Sequence, residues 1–146
     1  MLGRRKKSTH VDAEARPHDT DAVGRWGEDV AAGYLEQGGL TILGRRVRVT
    51  VRDELDLVAR DGSVLVFVEV KTRKSQLYGR PMAAVDRRKR QVLSRAAVRY
   101  VGRLKRKDVC FRFDVVEVVG QPGDAEPVIR HVENAFPLDR RYSIPC

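Results

Sequence analysis

Two neighbouring apolar segments carry carboxylates and a lysine, which together could bind a divalent cation. Val64 to Val70 predicts a buried central strand that carries Glu69 and is followed by Lys71. Residues 55–59 predict its antiparallel partner, which carries Asp56, and the Asp-Gly pair between the two segments is a strong hairpin signal. Oxygen ligands of this kind suit a hard ion such as Mg²⁺ or Mn²⁺.

The predicted hairpin register places these groups on one face of the sheet. A two-residue Asp-Gly loop sets Asp56 opposite Phe67 and Glu54 opposite Glu69. Because side chains alternate between faces, the three carboxylates and Lys71 project to the same side. Glu-Val-Lys alone would equally fit a strand end that emerges into solvent. Adjacent like charges need a compensating positive charge, for which Lys71 and a divalent cation are the candidates, and Asp56 on the same face favours the metal site.

This order of residues resembles the D…(D/E)XK signature of the PD-(D/E)XK nuclease superfamily. The wider sequence, over roughly residues 22–136, is similar to the YraN-like bacterial proteins, which resemble Holliday-junction resolvases. Two positions depart from that pattern: Asp53 stands where a glycine is expected, and residues 44–46 (Gly-Arg-Arg) replace an Asn-containing segment. The matching segments are GRWGE at 24–28, ELDLVARDG at 54–62, FVEVKTR at 67–73, FDVV at 113–116 and HVENAF at 131–136.

The resemblance implies both a fold and a set of catalytic residues. The fold class is α/β, a single-domain mixed β-sheet flanked by helices with a restriction-endonuclease-like core. Asp56 and Glu69 are implied as ligands of Mg²⁺ or Mn²⁺, with Lys71 catalytic beside them. Glu28 on the first helix is implied to be catalytic as well, as a direct or water-mediated ligand. Its alternative is a carboxylate near the helix N-terminus, favoured there by the macrodipole.

Composition points to an anionic partner. The chain has 146 residues, enough for one domain, and a net charge of +9 from 29 Lys and Arg. Arginine favours bidentate phosphate contacts, so nucleic acid is preferred over an anionic membrane or an acidic protein. The basic N-terminus is followed by no apolar stretch, and no segment has the length of a membrane span. We therefore expect a soluble, cytoplasmic protein with no membrane partner.

The pattern along the chain predicts one folded unit between two tails. Residues 1–19 predict a disordered basic tail, 20–136 a nuclease-like α/β domain, and 137–146 an irregular C-terminal tail. The predicted elements are a helix at about 20–37, strands at 40–49, 55–59 and 64–70, a helix at about 83–102, and strands at 111–119 and 128–132.

Four basic residues near the predicted site are candidates for nucleic-acid binding: Arg73, Arg80, Arg87 and Lys89. Lys89 shares a helical stripe with apolar residues, so it either reaches a substrate phosphate or extends its amine to water along its own stem. The arginines either form a patch that follows phosphates or make up an ordinary solvated face.

These features favour a metal-dependent endonuclease that hydrolyses DNA phosphodiester bonds, including those of branched or structured DNA. RNA stays open as a substrate. The alternative is a non-catalytic nucleic-acid-binding adaptor with a nuclease-like fold, whose binding would depend on salt but need neither metal nor Lys71. A homodimer is expected by analogy alone, since a four-way junction requires paired cuts.

Overall fold

Two helices and five strands make up the part of the chain that the structure describes. The computed structural model describes residues 17–74, 85–106 and 108–142. Arg80 and most of the predicted N-terminal tail lie outside these ranges. The elements are α1 (Pro17–Gln37), β1 (Thr41–Arg48), β2 (Glu54–Asp61), β3 (Val64–Arg73), α2 (Arg87–Gly102), β4 (Phe111–Val119) and β5 (Val128–Phe136).

The strands form one mixed sheet in the order β1-β2-β3-β4-β5. Three neighbouring pairs are antiparallel, and β3 runs parallel to β4, with α2 in the crossover between them. This confirms the predicted α/β class, and the arrangement is compatible with a restriction-endonuclease-like core. The described residues contain no helix long and apolar enough to cross a membrane.

Each face of the sheet is covered by one helix. On one face, Ala31, Ala32 and Leu35 of α1 pack against buried strand residues such as Val66 and Val68. On the other face, apolar residues of α2 cover Phe67 and its neighbours, including Phe113 and Val115. Because β3 is buried on both faces, its sequence is apolar without alternation, as the continuous run Val64–Val70 predicts.

The predicted register of the β2–β3 hairpin is wrong by one position on each strand. Asp61 pairs with Val64, so the loop residues are Gly62 and Ser63, and Phe67 lies opposite Val58. Gly62 has a φ of +59° and takes the first loop position, where it was expected in the second. Because each strand is displaced by one residue, the total shift is two residues, and every side chain stays on its predicted face.

A buried carboxylate ties α2 to the loop before β2. Asp53 is 3% exposed and accepts hydrogen bonds of 2.8 and 2.7 Å from the Arg95 guanidinium. These bonds hold the pKa of Asp53 below its usual range. Val49 donates its backbone N–H to the Asp53 carbonyl at 2.9 Å. The departure from the expected glycine thus has a structural explanation, since it fixes the entry to the strand that carries Asp56.

Gly27 lies where α1 approaches the sheet most closely. A Cβ added there would clash with Thr72 Oγ1 and would lie 3.1 Å from Thr72 Cβ. We expect Gly27→Ala to lower the free energy of unfolding by about 1–3 kcal/mol, since a β-branched strand residue cannot move away easily. The control is Gly24→Ala, whose Cβ would make an ordinary 3.5 Å contact with Arg46 and should gain up to about 1 kcal/mol of helix propensity. Urea denaturation measures both; equal stability of the two variants would contradict this packing.

Candidate active site

The candidate site forms where β2 separates from β3. The backbone pairing of the two strands extends from Asp61↔Val64 to Leu57↔Val68 and is not continued beyond it. The next residue, Asp56, instead accepts a hydrogen bond from the Val70 N–H through its side-chain Oδ2 at 2.9 Å. The carboxylate of Asp56 therefore takes the place of a backbone hydrogen-bond acceptor between β2 and β3, and it is held where the two strands separate.

The structure brings Glu69 directly beside Asp56. Their carboxyl groups lie within hydrogen-bonding reach of each other. Burial, followed by the charge of Asp56, raises the pKa of Glu69 to about 7, and burial also raises the pKa of Asp56 against the lowering effect of the Val70 N–H. Lys89 extends from α2 to place its Nζ 3.6 Å from Glu69 Oε1. The pair is thus acidic, enclosed and only partly neutralised.

The raised pKa of Glu69 predicts that Glu69→Gln stabilises the protein above neutral pH. Between the ordinary value of 4.5 and about 7, the folded wild type holds a proton that the unfolded chain has released, so its stability falls as the pH rises through this window. At 1.36 kcal/mol per pKa unit, the loss above that window is at most about 3 kcal/mol. Glutamine carries no charge to desolvate and should not show the fall.

Urea unfolding at about pH 5 and about pH 8 measures this difference. Glu54→Gln is the matched control, because Glu54 lies on the same strand face as Asp56 but its side chain is 39% exposed. A Glu69→Gln protein less stable than the wild type at about pH 8 would show that the carboxylate is not destabilised by its surroundings.

Glu28 reaches the edge of the same site from α1. Its side chain is 13% exposed and accepts a 2.7 Å hydrogen bond from Arg46 Nε. Burial raises the pKa of Glu28 despite Arg46, and the charges of Asp56 and Glu54 add to the increase. Arg46 also donates a 2.8 Å hydrogen bond to Asp21. Its backbone φ of +44° lies in the left-handed region. The Glu28 carboxylate therefore experiences the negative charge of Asp56, and a hydrogen bond from Arg46 of β1 holds it in place.

The remaining predicted site residues lie around this centre at different distances from it. Lys71 follows Glu69 on the same side of β3, half-buried and in register with Glu117 of β4. Arg73 Nε lies 3.7 Å from Glu117 Oε1, so its charge is partly balanced by a buried carboxylate. Lys89 contacts Glu69, as described, and Arg87 is exposed at the first position of α2.

Two carboxylates, rather than a closed cage, are available to a cation. Within residues 17–74, 85–106 and 108–142, no three His, Cys, Asp or Glu side chains converge as a ligand set. Asp56 and Glu69 nevertheless fit Mg²⁺, which is commonly held by one or two carboxylates, several waters and substrate phosphates. The Glu28 carboxylate is already bonded to Arg46 at 2.7 Å.

Two contacts of the site were not foreseen. The bond between Arg46 and Glu28 joins residues 18 apart, and the only sequence signal for it is the unusual Arg-Arg at 45–46. The contact of Lys89 with Glu69 was not predicted either, and binding of phosphate by Lys89 stays a prediction. Asp114 has a structural role, because its carboxylate is fully buried and lies within hydrogen-bonding distance of Arg112 and His131.

Comparisons with known proteins place the chain in a family. The model of the uncharacterised protein family UPF0102 matches residues 27–118. A UPF0102 protein of Syntrophotalea carbinolica is 43% identical over 118 residues, covering 81% of this chain and 94% of the relative. A UPF0102 protein of Symbiobacterium thermophilum is 47% identical over 115 residues, covering 78% and 95%. One of Geobacter sulfurreducens is 45% identical over 121 residues, covering 83% and 93%. The chain therefore belongs to the UPF0102 family, the YraN-like family that its motifs indicated.

Proposed function

We propose that this protein is a metal-dependent endonuclease that hydrolyses phosphodiester bonds in DNA, including branched or structured DNA. The observation that carries the proposal is the position of Asp56 beside Glu69 at the opening between β2 and β3. Adjacent carboxylates destabilise a fold unless a cation binds them, and here they share a face with a lysine. A protein that only bound phosphate would gain nothing from this acidic pair.

Each residue of the centre has a distinct task in this proposal. Asp56 and Glu69 would hold a Mg²⁺ or Mn²⁺ ion. When bound, such an ion supplies Lewis-acid polarisation of the scissile phosphate and acidifies the attacking water. Lys71 orients that water and offsets the charge that develops on the phosphate oxygens. Glu28 fixes further water at the rim, with its carboxylate oriented by Arg46.

The surroundings of the pair supply positive charge for a polyanionic substrate. Lys89 and Arg87 begin the helix that borders Glu69, and the chain as a whole carries +9. Such a distribution attracts the nucleic-acid backbone towards the carboxylates, which would repel it on their own. RNA shares this backbone chemistry, so it belongs in the same substrate test.

The second candidate is a nucleic-acid-binding adaptor that uses the fold without cleavage. It is favoured by one observation: Glu28, the third carboxylate near the centre, is already paired with Arg46. This candidate predicts binding that weakens with salt, needs no divalent ion and is unchanged by Lys71→Ala. The nuclease predicts cleavage that requires both the ion and Lys71.

The experiment is a cleavage assay on labelled duplex, single strand, flap, four-way junction and an RNA duplex. Each is incubated with Mg²⁺, with Mn²⁺ or with EDTA. The nuclease predicts cutting in the two metal conditions alone, and the substrate that is cut fastest identifies the preferred nucleic-acid structure. Binding of every substrate without cutting in any condition would support the adaptor. A resolvase-like activity would further require two copies on one junction, which sedimentation of the complex measures.

A further inference from the structure

A pocket lined by arginines includes Arg87 and Arg90, from the turn of α2 that carries Lys89, and is formed partly by the predicted C-terminal tail. It has a volume of about 410 Å³ and lies between the first turn of α2 and the segment after β5. The volume is within the range of sites that hold small ligands. Its lining residues are Arg87, Arg90, Pro137, Leu138, Asp139, Arg140 and Arg141.

One arginine of this pocket is held in a fixed orientation. Arg90 Nε donates a 2.8 Å hydrogen bond to the Val85 carbonyl, and its guanidinium lies 5.7 Å from the centre of the Phe136 ring. A guanidinium fixed by one nitrogen and an aromatic face loses little further freedom when its other nitrogens bind an anion. The planar guanidinium of Arg90 is thus preorganised to bind two oxygens of one anion, such as a phosphate.

The segment that closes the pocket is anchored to the domain. Asp139 donates its backbone N–H to Ser94 Oγ of α2 at 3.0 Å, and Leu138 packs against the core. The Asp139 carboxylate is 17% exposed and accepts the Arg141 N–H at 3.0 Å. Arg141 Nε also lies 3.6 Å from Asp139 Oδ1, so one of the four arginines is paired with this carboxylate. The lining nevertheless holds four arginines against one carboxylate, which gives the pocket a net positive charge.

We propose that this arginine pocket, formed by Arg87, Arg90, Arg140 and Arg141, binds a phosphate group of a nucleic-acid strand. The assignment of the strand rests on the proposed function, because Lys89 lies between Arg87 and Arg90 in sequence and contacts Glu69. One turn of α2 therefore borders both the carboxylate pair and the pocket. A strand that crosses the carboxylate pair along this turn would bring a neighbouring phosphate towards the pocket.

The test compares two double variants of equal charge. Arg140→Gln/Arg141→Gln removes two exposed arginines of the pocket. Arg60→Gln/Arg106→Gln removes two exposed arginines outside it, with Arg106 beyond the C-terminal end of the 16-residue helix α2, about 24 Å long. Affinity for a labelled duplex is measured by fluorescence anisotropy in EDTA over a range of salt concentrations, so that cleavage plays no part. Thermal melts confirm that both variants are folded.

We expect the pocket variant to bind roughly 5–10-fold more weakly near 0.1 M salt and to lose about one unit of slope in log K against log salt, the contribution of one phosphate. The control should keep the wild-type slope, and Arg140→Lys/Arg141→Lys should recover part of the affinity. Equal affinities and slopes for both Gln variants would overturn the assignment of this pocket as a phosphate site. Titration of the same variants with AMP tests whether the phosphate in the pocket belongs to a free nucleotide. Loss of AMP binding with unchanged duplex binding would overturn the assignment to a nucleic-acid strand.

These outcomes are separable from those of the proposed nuclease. If the wild type cuts DNA and the pocket variant binds DNA normally, the proposed nuclease stands and the phosphate site is wrong. A protein that binds through the pocket and cuts nothing would retain the site and lose the nuclease.

Discussion

Asp56→Asn is expected to reduce metal-dependent cleavage by a factor on the order of 10³ or more without weakening DNA binding, since the loss of a metal ligand removes several kcal/mol of transition-state stabilisation. Asparagine can still accept the Val70 N–H through its amide oxygen, so the opening between β2 and β3 should keep its shape. Removing the negative charge also reduces repulsion of the phosphate backbone. Single-turnover cleavage and anisotropy on the same labelled substrate measure the two effects.

Glu54→Gln is the matched control for this variant. It removes a carboxylate two residues away on the same strand face, where the partner is Arg48 at 3.7 Å. We expect its cleavage rate to stay within about twofold of the wild type, since an exposed ion pair contributes little. Cleavage by Asp56→Asn at the wild-type rate would show that the activity comes from elsewhere on the chain or from another protein.

Asp114→Ala is expected to lower the free energy of unfolding by about 3–5 kcal/mol, the usual cost of removing one partner of a buried charged network. The Asp114 carboxylate is 0% exposed and accepts bonds of 2.9 Å from Arg112 and 3.0 Å from the Asn134 N–H, with His131 Nε2 at 2.8 Å. The variant would leave Arg112 and His131 without this partner, with side chains that are only 18% and 10% exposed. Urea denaturation at neutral pH measures the loss.

The pH dependence gives a second readout of the same network. Burial alone would raise the pKa of Asp114, but hydrogen bonds from His131 and Arg112 outweigh it and hold the pKa below its ordinary 3.8. Its contribution is therefore complete above the unfolded value and is lost as the pH falls through the folded value. The control is Asp108→Ala, whose side chain is 71% exposed and should change stability by less than about 1 kcal/mol. Equal losses for the two variants would contradict a structural role for Asp114.

The fold could be predicted from the sequence because its elements are locally encoded. The continuous apolar run of β3 requires a central strand, and the apolar stripe of α1 requires one face against the sheet. The face shared by Asp56 and Glu69 was also predictable, because a register shift by an even number of residues does not change the face on which a side chain lies. The register itself was not, because Asp-Gly and Gly-Ser are both acceptable loops for this hairpin.

What could not be predicted depends on contacts between residues far apart in sequence. Asp53 and Arg95 are 42 positions apart, and neither position alone indicates that they meet. The segment after β5 has no helical or strand periodicity, so the sequence predicted an irregular tail. Its anchoring depends on one backbone bond to Ser94 and on the burial of Leu138, which only the packed domain brings together.

Whether Asp56 and Glu69 hold the metal is tested by titrating the wild type with Mn²⁺ in the presence of a bound uncleavable oligonucleotide and following the binding by electron paramagnetic resonance. We expect saturable Mn²⁺ binding, with an affinity at least about tenfold lower in the double variant Asp56→Asn/Glu69→Gln and unchanged in Glu54→Gln. Equal Mn²⁺ binding by the wild type and the double variant would contradict the assignment of Asp56 and Glu69 as the metal centre.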